Sequence, residues 1–253
     1  MMLWRLVLLL GFAALPLRAE EVVLGLSKDK VAITATFEGS EILIFGAVKR
    51  EEPIPDVPLD VVIAVAGPSE PVTVRRKDRR FGIWVNTDVV VLDSAPSFYA
   101  VATTGPLDKV MSDTEDLRHR VSIPRAIRSV GAASMAEDAE RFTDALIRIR
   151  RDQGAYAMRE GAVVLDQETL FRGAIQLPAN LTEGEYLTRI FLTREGRVVS
   201  QLETVIDVQK VGLERWLYTL SRQQPLVYGL MSLAIAIAAG WGASAAFQAM
   251  RRG

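Results

Sequence analysis

The chain is predicted to be mainly β: an immunoglobulin-like β-sandwich ectodomain with a helical insertion, followed by one C-terminal transmembrane helix. Three observations predict it. Between residues 20 and 104, about eight short apolar runs are separated by Gly and Pro punctuation, the pattern of packed antiparallel strands. Between 105 and 160 the apolar spacing changes from two to three and four residues. Pro225 to Ala249 is a run of 25 residues without a charge, longer than the roughly 20 residues that cross a hydrocarbon core.

Residues 1–19 read as a secretory signal peptide. A basic start at Arg5, an apolar stretch from Leu6 to Leu15 and a small residue at Ala19 make that pattern, although Leu17 stands where a small residue is preferred. Removing Arg5 and Arg18 with it leaves 28 basic against 31 acidic residues, a net charge of −3. That balance gives no reason to expect nucleic acid. With no cysteine at all, the exported domain cannot be disulfide-stapled, and thiol catalysis, thiolate metal sites and cysteine-held clusters are excluded.

The β-sandwich is expected over residues 20–104. Val31, Ile33, Ala35 and Phe37 alternate with smaller or polar residues, as along a half-buried strand. Glu38-Gly39-Ser40 supplies a turn, and Ile42 to Val48 returns as the second strand of a hairpin. Val61 to Ala66 is stopped by Gly67-Pro68. Val72 to Arg76, Gly82 to Asn86, Val89 to Leu92 and Phe98 to Thr103 follow.

Residues 105–160 form the helical segment. Ser134 and Glu137 have capping-box spacing, and Met135, Ala139, Phe142, Leu146 and Ile149 fall on one face of a helix that Gly154 stops. Residues 161–209 carry a second β unit whose last two strands are joined at Glu195-Gly196. Its strands either complete the first sandwich or make a smaller one, and two units is the preferred reading. Residues 210–223 form an interfacial amphipathic helix: Leu213, Trp216, Leu217 and Leu220 share a face, and Trp216 and Tyr218 are residue types found at headgroup depth. The transmembrane helix occupies 225–249, with Pro225 suited to its first turn. Residues 250–253 remain as a cytoplasmic tail.

Catalytic patterns do not emerge. The chain has no nucleophile elbow, paired-histidine motif, phosphate-binding loop or dinucleotide fingerprint. His119 is read as a bystander in a loop, and Glu51-Glu52 and Asp113 to Asp116 as solvated acids. The reading is therefore a protein that is not an enzyme and has neither cofactor nor metal. The most conspicuous polar feature is Arg75-Arg76-Lys77-Asp78-Arg79-Arg80. These five cations, with Trp84 and Asn86 on the following strand, are candidates for binding an anion, a phospholipid headgroup or a partner. The bland alternative is a charged hairpin with Lys77-Asp78 at its tip. In the spanning helix, Ser232, Ala236, Gly240, Ser244 and Gln248 recur every four residues as a small or polar stripe that lets another helix approach.

Several segments together carry a family resemblance. Phe45-Gly46-Ala47, Arg75-Arg76-Lys77 followed by Gly82-Ile83-Trp84-Val85-Asn86, the run Pro96 to Ala102, and Lys210-Val211-Gly212 leading to Pro225 to Leu230 resemble the uncharacterised alphaproteobacterial transmembrane proteins over nearly the whole chain. The resemblance implies a single-pass protein of the cell inner membrane, with its globular domain in the periplasm, its C-terminus in the cytoplasm and no assigned activity. It also offers a permease of the sulfite-exporter type as a candidate partner. Location and mounting together suggest an interaction protein, an accessory or stabilising subunit of an integral-membrane partner such as a transporter, with self-association through the spanning helix as another route. A periplasmic sensor or binding module for a small anion or envelope component is the alternative.

Overall fold

The computed structural model describes residues 21–27, 30–33, 39–50, 57–129, 136–210 and 213–252. The expected signal peptide, the Ala35 and Phe37 positions, Glu51-Glu52 and the Ser134 cap lie outside the described residues. Apart from residues 32–37, which group with the second, the chain divides into a first unit that runs to Val208 and a second that takes up the chain from Gln209.

Two sheets make the core of the first unit. One has the order β1 (Glu21–Leu26), β3 (Ser40–Lys49), β10 (Leu170–Leu177), β9 (Val163–Asp166), all antiparallel. The other has the order β2 (Lys30–Ile33), β12 (Arg197–Lys210), β11 (Gly184–Arg194), β4 (Asp60–Ala66), β7 (Tyr99–Thr103), β8 (Tyr156–Arg159). Its β7–β8 pair is parallel. β10 pairs with β3 and β11 pairs with β4, so strands after residue 161 and strands before residue 104 interleave in both sheets. They complete one sandwich, and a separate second β unit does not form. Nor do β2 and β3 form the expected hairpin: β2 belongs to the six-stranded sheet and β3 to the four-stranded one.

β4, β7 and much of β11 are buried on both faces, which is why Val61 to Val65 reads as a continuous apolar run instead of alternating. Ile63, Ala102 and Ile190 sit at one set of register positions, and a Cβ built on Gly173 of β10 would lie 3.0 Å from the Ile63 side chain. That face of the six-stranded sheet therefore meets the four-stranded one. The opposite face presents Val62, Ala64, Tyr99, Val101 and Phe191 to a third layer. Close approach within the four-stranded sheet explains Phe45-Gly46-Ala47: a Cβ on Gly46 would lie 2.6 Å from the Val23 carbonyl oxygen and 2.5 Å from the Phe171 ring.

The third layer comes from the segment after β7. α1 (Leu107–Val110), α2 (Asp113–His119), α3 (Ile123–Ala126) and α4 (Ala136–Asp152) cover the sheet with Val110, Met111, Val121, Ile123, Phe142, Leu146 and Ile147. The apolar spacing predicts one helix here, whereas α1, α2, α3 and β8 are too short to show a periodic signal. Ile149, placed on the apolar face by spacing, is exposed, and Ile147 is buried in its stead.

The second unit is helical. α5 (Leu213–Gln223) leads through Gln224 directly into α6 (Pro225–Arg252), the Tyr228 amide donating to the Gln224 carbonyl at 3.1 Å. Pro225 occupies the first helical position, where its missing N–H costs nothing. At 28 residues, α6 is about 42 Å long. Within it Pro225–Ser244 is long and apolar enough to cross a membrane.

Candidate functional site: a basic and aromatic hairpin

Between β4 and β7 the chain makes a long excursion. β5 (Ser69–Arg80) and β6 (Ile83–Pro96) pair with each other as a two-stranded sheet. The excursion leaves and rejoins the core at one place: the Gly67 amide donates to the Phe98 carbonyl and the Ser97 amide to the Pro68 carbonyl, both at 2.8 Å. At about 3.3 Å per residue its 12-residue strand β5 spans roughly 40 Å. An isolated two-stranded ribbon is marginal in water, and this one is anchored at its base. Val74, Val90, Leu92 and Ala95 are buried against the helical layer, and Ser94 and Arg128 exchange backbone hydrogen bonds at 3.2 and 2.8 Å. From Arg75 to Trp84 every residue is exposed.

The tip is Phe81-Gly82, not Lys77-Asp78. Arg80 pairs with Ile83, and both connecting residues have positive φ, 51° at Phe81 and 85° at Gly82, the requirement of a type I′ turn. The segments read as two strands, Gly82 to Asn86 and Val89 to Leu92, are one strand of 14 residues interrupted by a bulge opposite Arg76/Lys77.

Alternation along β5 divides the basic cluster, and the bulge sets Asp88 opposite Arg76. Lys77 pairs with Asn86 and Arg79 with Trp84, so strand alternation sets Arg75, Lys77, Arg79, Asn86 and Trp84 on one face. Arg76 and Arg80 take the other, with Val74. Arg76 there lies 2.6 Å from the Asp88 carboxylate, which also accepts from the Thr87 hydroxyl at 2.9 Å. The Thr87 hydroxyl and then the Arg76 guanidinium hold the Asp88 carboxyl below the usual carboxylate range. Among the described residues, no carboxylate lies within ion-pair distance of Arg75, Lys77, Arg79 or Arg80. Arg79 donates to the Gly82 carbonyl at 3.4 Å. Of the seven candidates named from sequence, five thus form one open surface, one closes an ion pair and one points to the opposite side.

A second polar cluster escaped sequence reading. α2 ends in Arg120, whose φ of 51° turns the chain sharply, and its last carbonyls need donors. Arg189 on β11 supplies them, reaching the His119 carbonyl at 2.5 Å and the Arg120 carbonyl at 3.1 Å. The Tyr99 hydroxyl donates to the Val121 carbonyl at 2.8 Å and accepts from Arg189 at 3.2 Å. Asp116 accepts the Val121 and Ser122 amides at 3.0 and 2.7 Å and pairs with Arg125 at 2.8 Å. Glu115 and Asp116 are 8% exposed, so the expectation of solvated acids is corrected for both. His119 ends a helix, 3.3 Å from Glu115 and packed on the Phe191 ring at 5.2 Å, and is not in a loop. Burial pushes the Tyr99 phenol up to about 12, and Tyr156 likewise to about 12. Apart from the Arg189 Nε, which is buried without a hydrogen-bond partner, the groups described in this cluster are satisfied within it, so its role is to fasten the helical layer to the sheet. The only sequence signal was the close spacing of acids and bases from Asp113 to Arg125.

On α6, Ser232, Ala236, Gly240 and Ser244 are exposed along one stripe, and a Cβ on Gly240 would meet nothing within 4 Å. The Gln248 side chain lies outside the described residues. On α5, Trp216 and Tyr218 are exposed and Arg222 stacks over the Tyr218 ring at 5.7 Å. Among the described residues, no three of His, Cys, Asp or Glu cluster in a way that could hold a metal ion.

No curated protein matches the chain. Among solved structures, the sporulation control protein Spo0M from Bacillus subtilis is similar at 12% identity over 81% of this chain, with a TM-score of 0.29. The match spans 56% of that protein's own length. The family described as "Putative transmembrane protein (Alph_Pro_TM)" matches residues 21–249, which takes in the sandwich, the hairpin, α5 and nearly all of α6. The chain belongs to this alphaproteobacterial transmembrane protein family.

Proposed function

We propose that the protein is a membrane-anchored interaction protein: an accessory or stabilising subunit of an integral-membrane partner such as a transporter, without catalytic activity of its own. In this reading the signal peptide sends the sandwich into the periplasm, α6 holds it at the inner membrane, and Arg251 and Arg252 remain cytoplasmic. The observation that carries the reading is α6 itself. It is of membrane-crossing length and none of its described side chains from Pro225 to Ser244 is buried, while a row of small residues leaves one side open to a second helix. Affinity purification from native membranes tests it. Gly240→Leu is expected to insert normally but lose the partner or the homodimer, whereas Leu233→Ala on the bulky side keeps it. Equal recovery with both variants reduces α6 to a simple anchor.

A second reading makes the hairpin a binding element for an anion or envelope component. Its support is the row Arg75, Lys77 and Arg79 on one exposed face with no carboxylate in reach. Replacing all three with Ser and measuring binding of anionic vesicles or soluble phosphates tests it, and unchanged binding removes its support.

A further inference from the structure

The tip of the hairpin breaks two local rules at once. Type I′ turns favour Asn, Asp or Gly at both central positions, because a side chain in the left-handed region is strained. Phe81 takes that conformation at φ 51°. It gains no packing in return, being fully exposed, as Ile83 and Trp84 largely are at 64% and 70%. Three large apolar side chains at the end of a ribbon are poor for solubility and contribute nothing to the core. A local conflict without a folding benefit points to a surface the tip meets.

Their arrangement says which surface. Phe81 occupies the extreme end, Ile83 and Trp84 stand level with their cross-strand partners Arg80 and Arg79, and Lys77 and Arg75 follow one and two strand repeats further back, about 7 Å per repeat. An apolar end, then a level where aromatic and aliphatic side chains stand beside cations, then cations without large apolar neighbours among the candidates, matches the order of acyl boundary, interface and phosphate along a bilayer normal. A small anion would use the cations and leave Phe81, Ile83 and Trp84 unexplained. The tether acts in the same direction, because 14 residues, 211–224, separate the last strand of the sandwich from the helix of membrane-crossing length. A link that short raises the effective concentration of the unit that carries the hairpin at any membrane this helix crosses, so that weak insertion suffices.

We infer that the β5–β6 hairpin is a membrane-insertion finger: Phe81, Ile83 and Trp84 enter the interface of an anionic bilayer while Arg75, Lys77, Arg79 and Arg80 engage its phosphates. This rests on the second reading above, the hairpin as a binding element, and is independent of any partner of α6. The absence of native cysteine permits a direct test. The full chain carrying Phe81→Cys, labelled with an environment-sensitive fluorophore, is reconstituted into vesicles of phosphatidylglycerol and phosphatidylethanolamine containing a quencher at headgroup depth. Val91→Cys, exposed on the same hairpin nearer its base, is the comparison site. The label at 81 is expected to shift to the blue and be quenched by roughly twofold or more, and the label at 91 to stay unquenched. Adding Arg75→Ser, Lys77→Ser and Arg79→Ser, or raising the salt, should abolish the effect. Because a label at 81 replaces the phenylalanine, Trp84→Ser with the label at 83, introduced by Ile83→Cys, provides a second variant and should reduce quenching. A label at 81 that stays in water in anionic vesicles overturns the finger. If it still responds to soluble glycerol 3-phosphate, the anion-binding reading survives, and if it responds to neither, both fall. A response that appears only after native membrane proteins are added also overturns it, in favour of a protein surface.

Discussion

Arg189 and Arg79 both extend from β-strands of one compact unit, yet they live in different physical regimes. Arg189 reaches two helix-end carbonyls and a buried phenol. Arg79 touches one turn carbonyl at 3.4 Å and is otherwise surrounded by solvent and like charges. In sequence the pair looks inverted, since Arg189 is an isolated cation in an apolar strand and Arg79 belongs to the densest charge cluster of the chain. Charge density therefore marks where a cation is free to act outward, and isolation among apolar residues marks where it is committed inward.

Removing the two guanidiniums separates the regimes. Arg189→Met leaves the end of α2 without its donors and is expected to lower stability by about 3 kcal/mol, read as a fall of roughly 10 °C in thermal unfolding of the sandwich. Arg79→Met should stay within about 0.5 kcal/mol. Similar losses for both would erase the distinction.

Alkaline pH probes the same cluster through Tyr99. Its phenol ionises near 10 when unfolded and at about 12 in the fold because burial disfavours the anion. The folded state thus holds the proton more tightly. Stability is whole below pH 10, falls between 10 and 12, and levels off above. The loss amounts to at most about 2.7 kcal/mol for this group. Tyr156 adds in the same direction. Chemical unfolding at pH 9 and pH 11.5 should show this slope, flattened in Tyr99→Phe.

At the hairpin the effects are smaller and one reverses sign. Phe81→Asn relieves the strained turn and should stabilise the ribbon by roughly 1 kcal/mol, seen as slower amide exchange from Arg79 to Val85, while weakening attachment to anionic vesicles. The smallest change is expected for Arg75→Ser, Lys77→Ser and Arg79→Ser together. Each costs under about 0.5 kcal/mol, so thermal unfolding should barely move.

Legibility in the sequence followed how local the cause is. The turn at Glu195-Gly196, the helix from Pro225 and the mainly β character rest on short-range chemistry, and the structure shows each of them. Sheet partnership does not: nothing in Ile42 to Val48 announces that it will pair with Leu170 to Leu177 across more than a hundred residues. The basic hairpin was visible as a cluster, but the pairing of Arg76 with Asp88 depends on a bulge at Thr87 that no residue type signals. The turn lies at Phe81-Gly82 instead of Lys77-Asp78, and a phenylalanine in the left-handed region is not a residue type that signals a turn, which hid the aromatic end. The Asp116 cluster was unreadable for a similar reason, since its organising cation, Arg189, is contributed by a strand far along the chain.

The way the long excursion is rooted has a mechanical consequence. Its two legs meet at Gly67 and Phe98, at the ends of β4 and β7, the neighbouring strands that lie deepest in the sandwich. A pull on the tip loads both legs alike and in one direction, so the ladder between β5 and β6 is not peeled, and the tension passes to the packed base at Val74, Val90 and Leu92. Past that base it reaches β4 and β7 together, where their outer neighbours β11 and β8 resist it in shear, all rungs at once. Force on the arm is thus delivered to the middle of the six-stranded sheet instead of being lost in the arm.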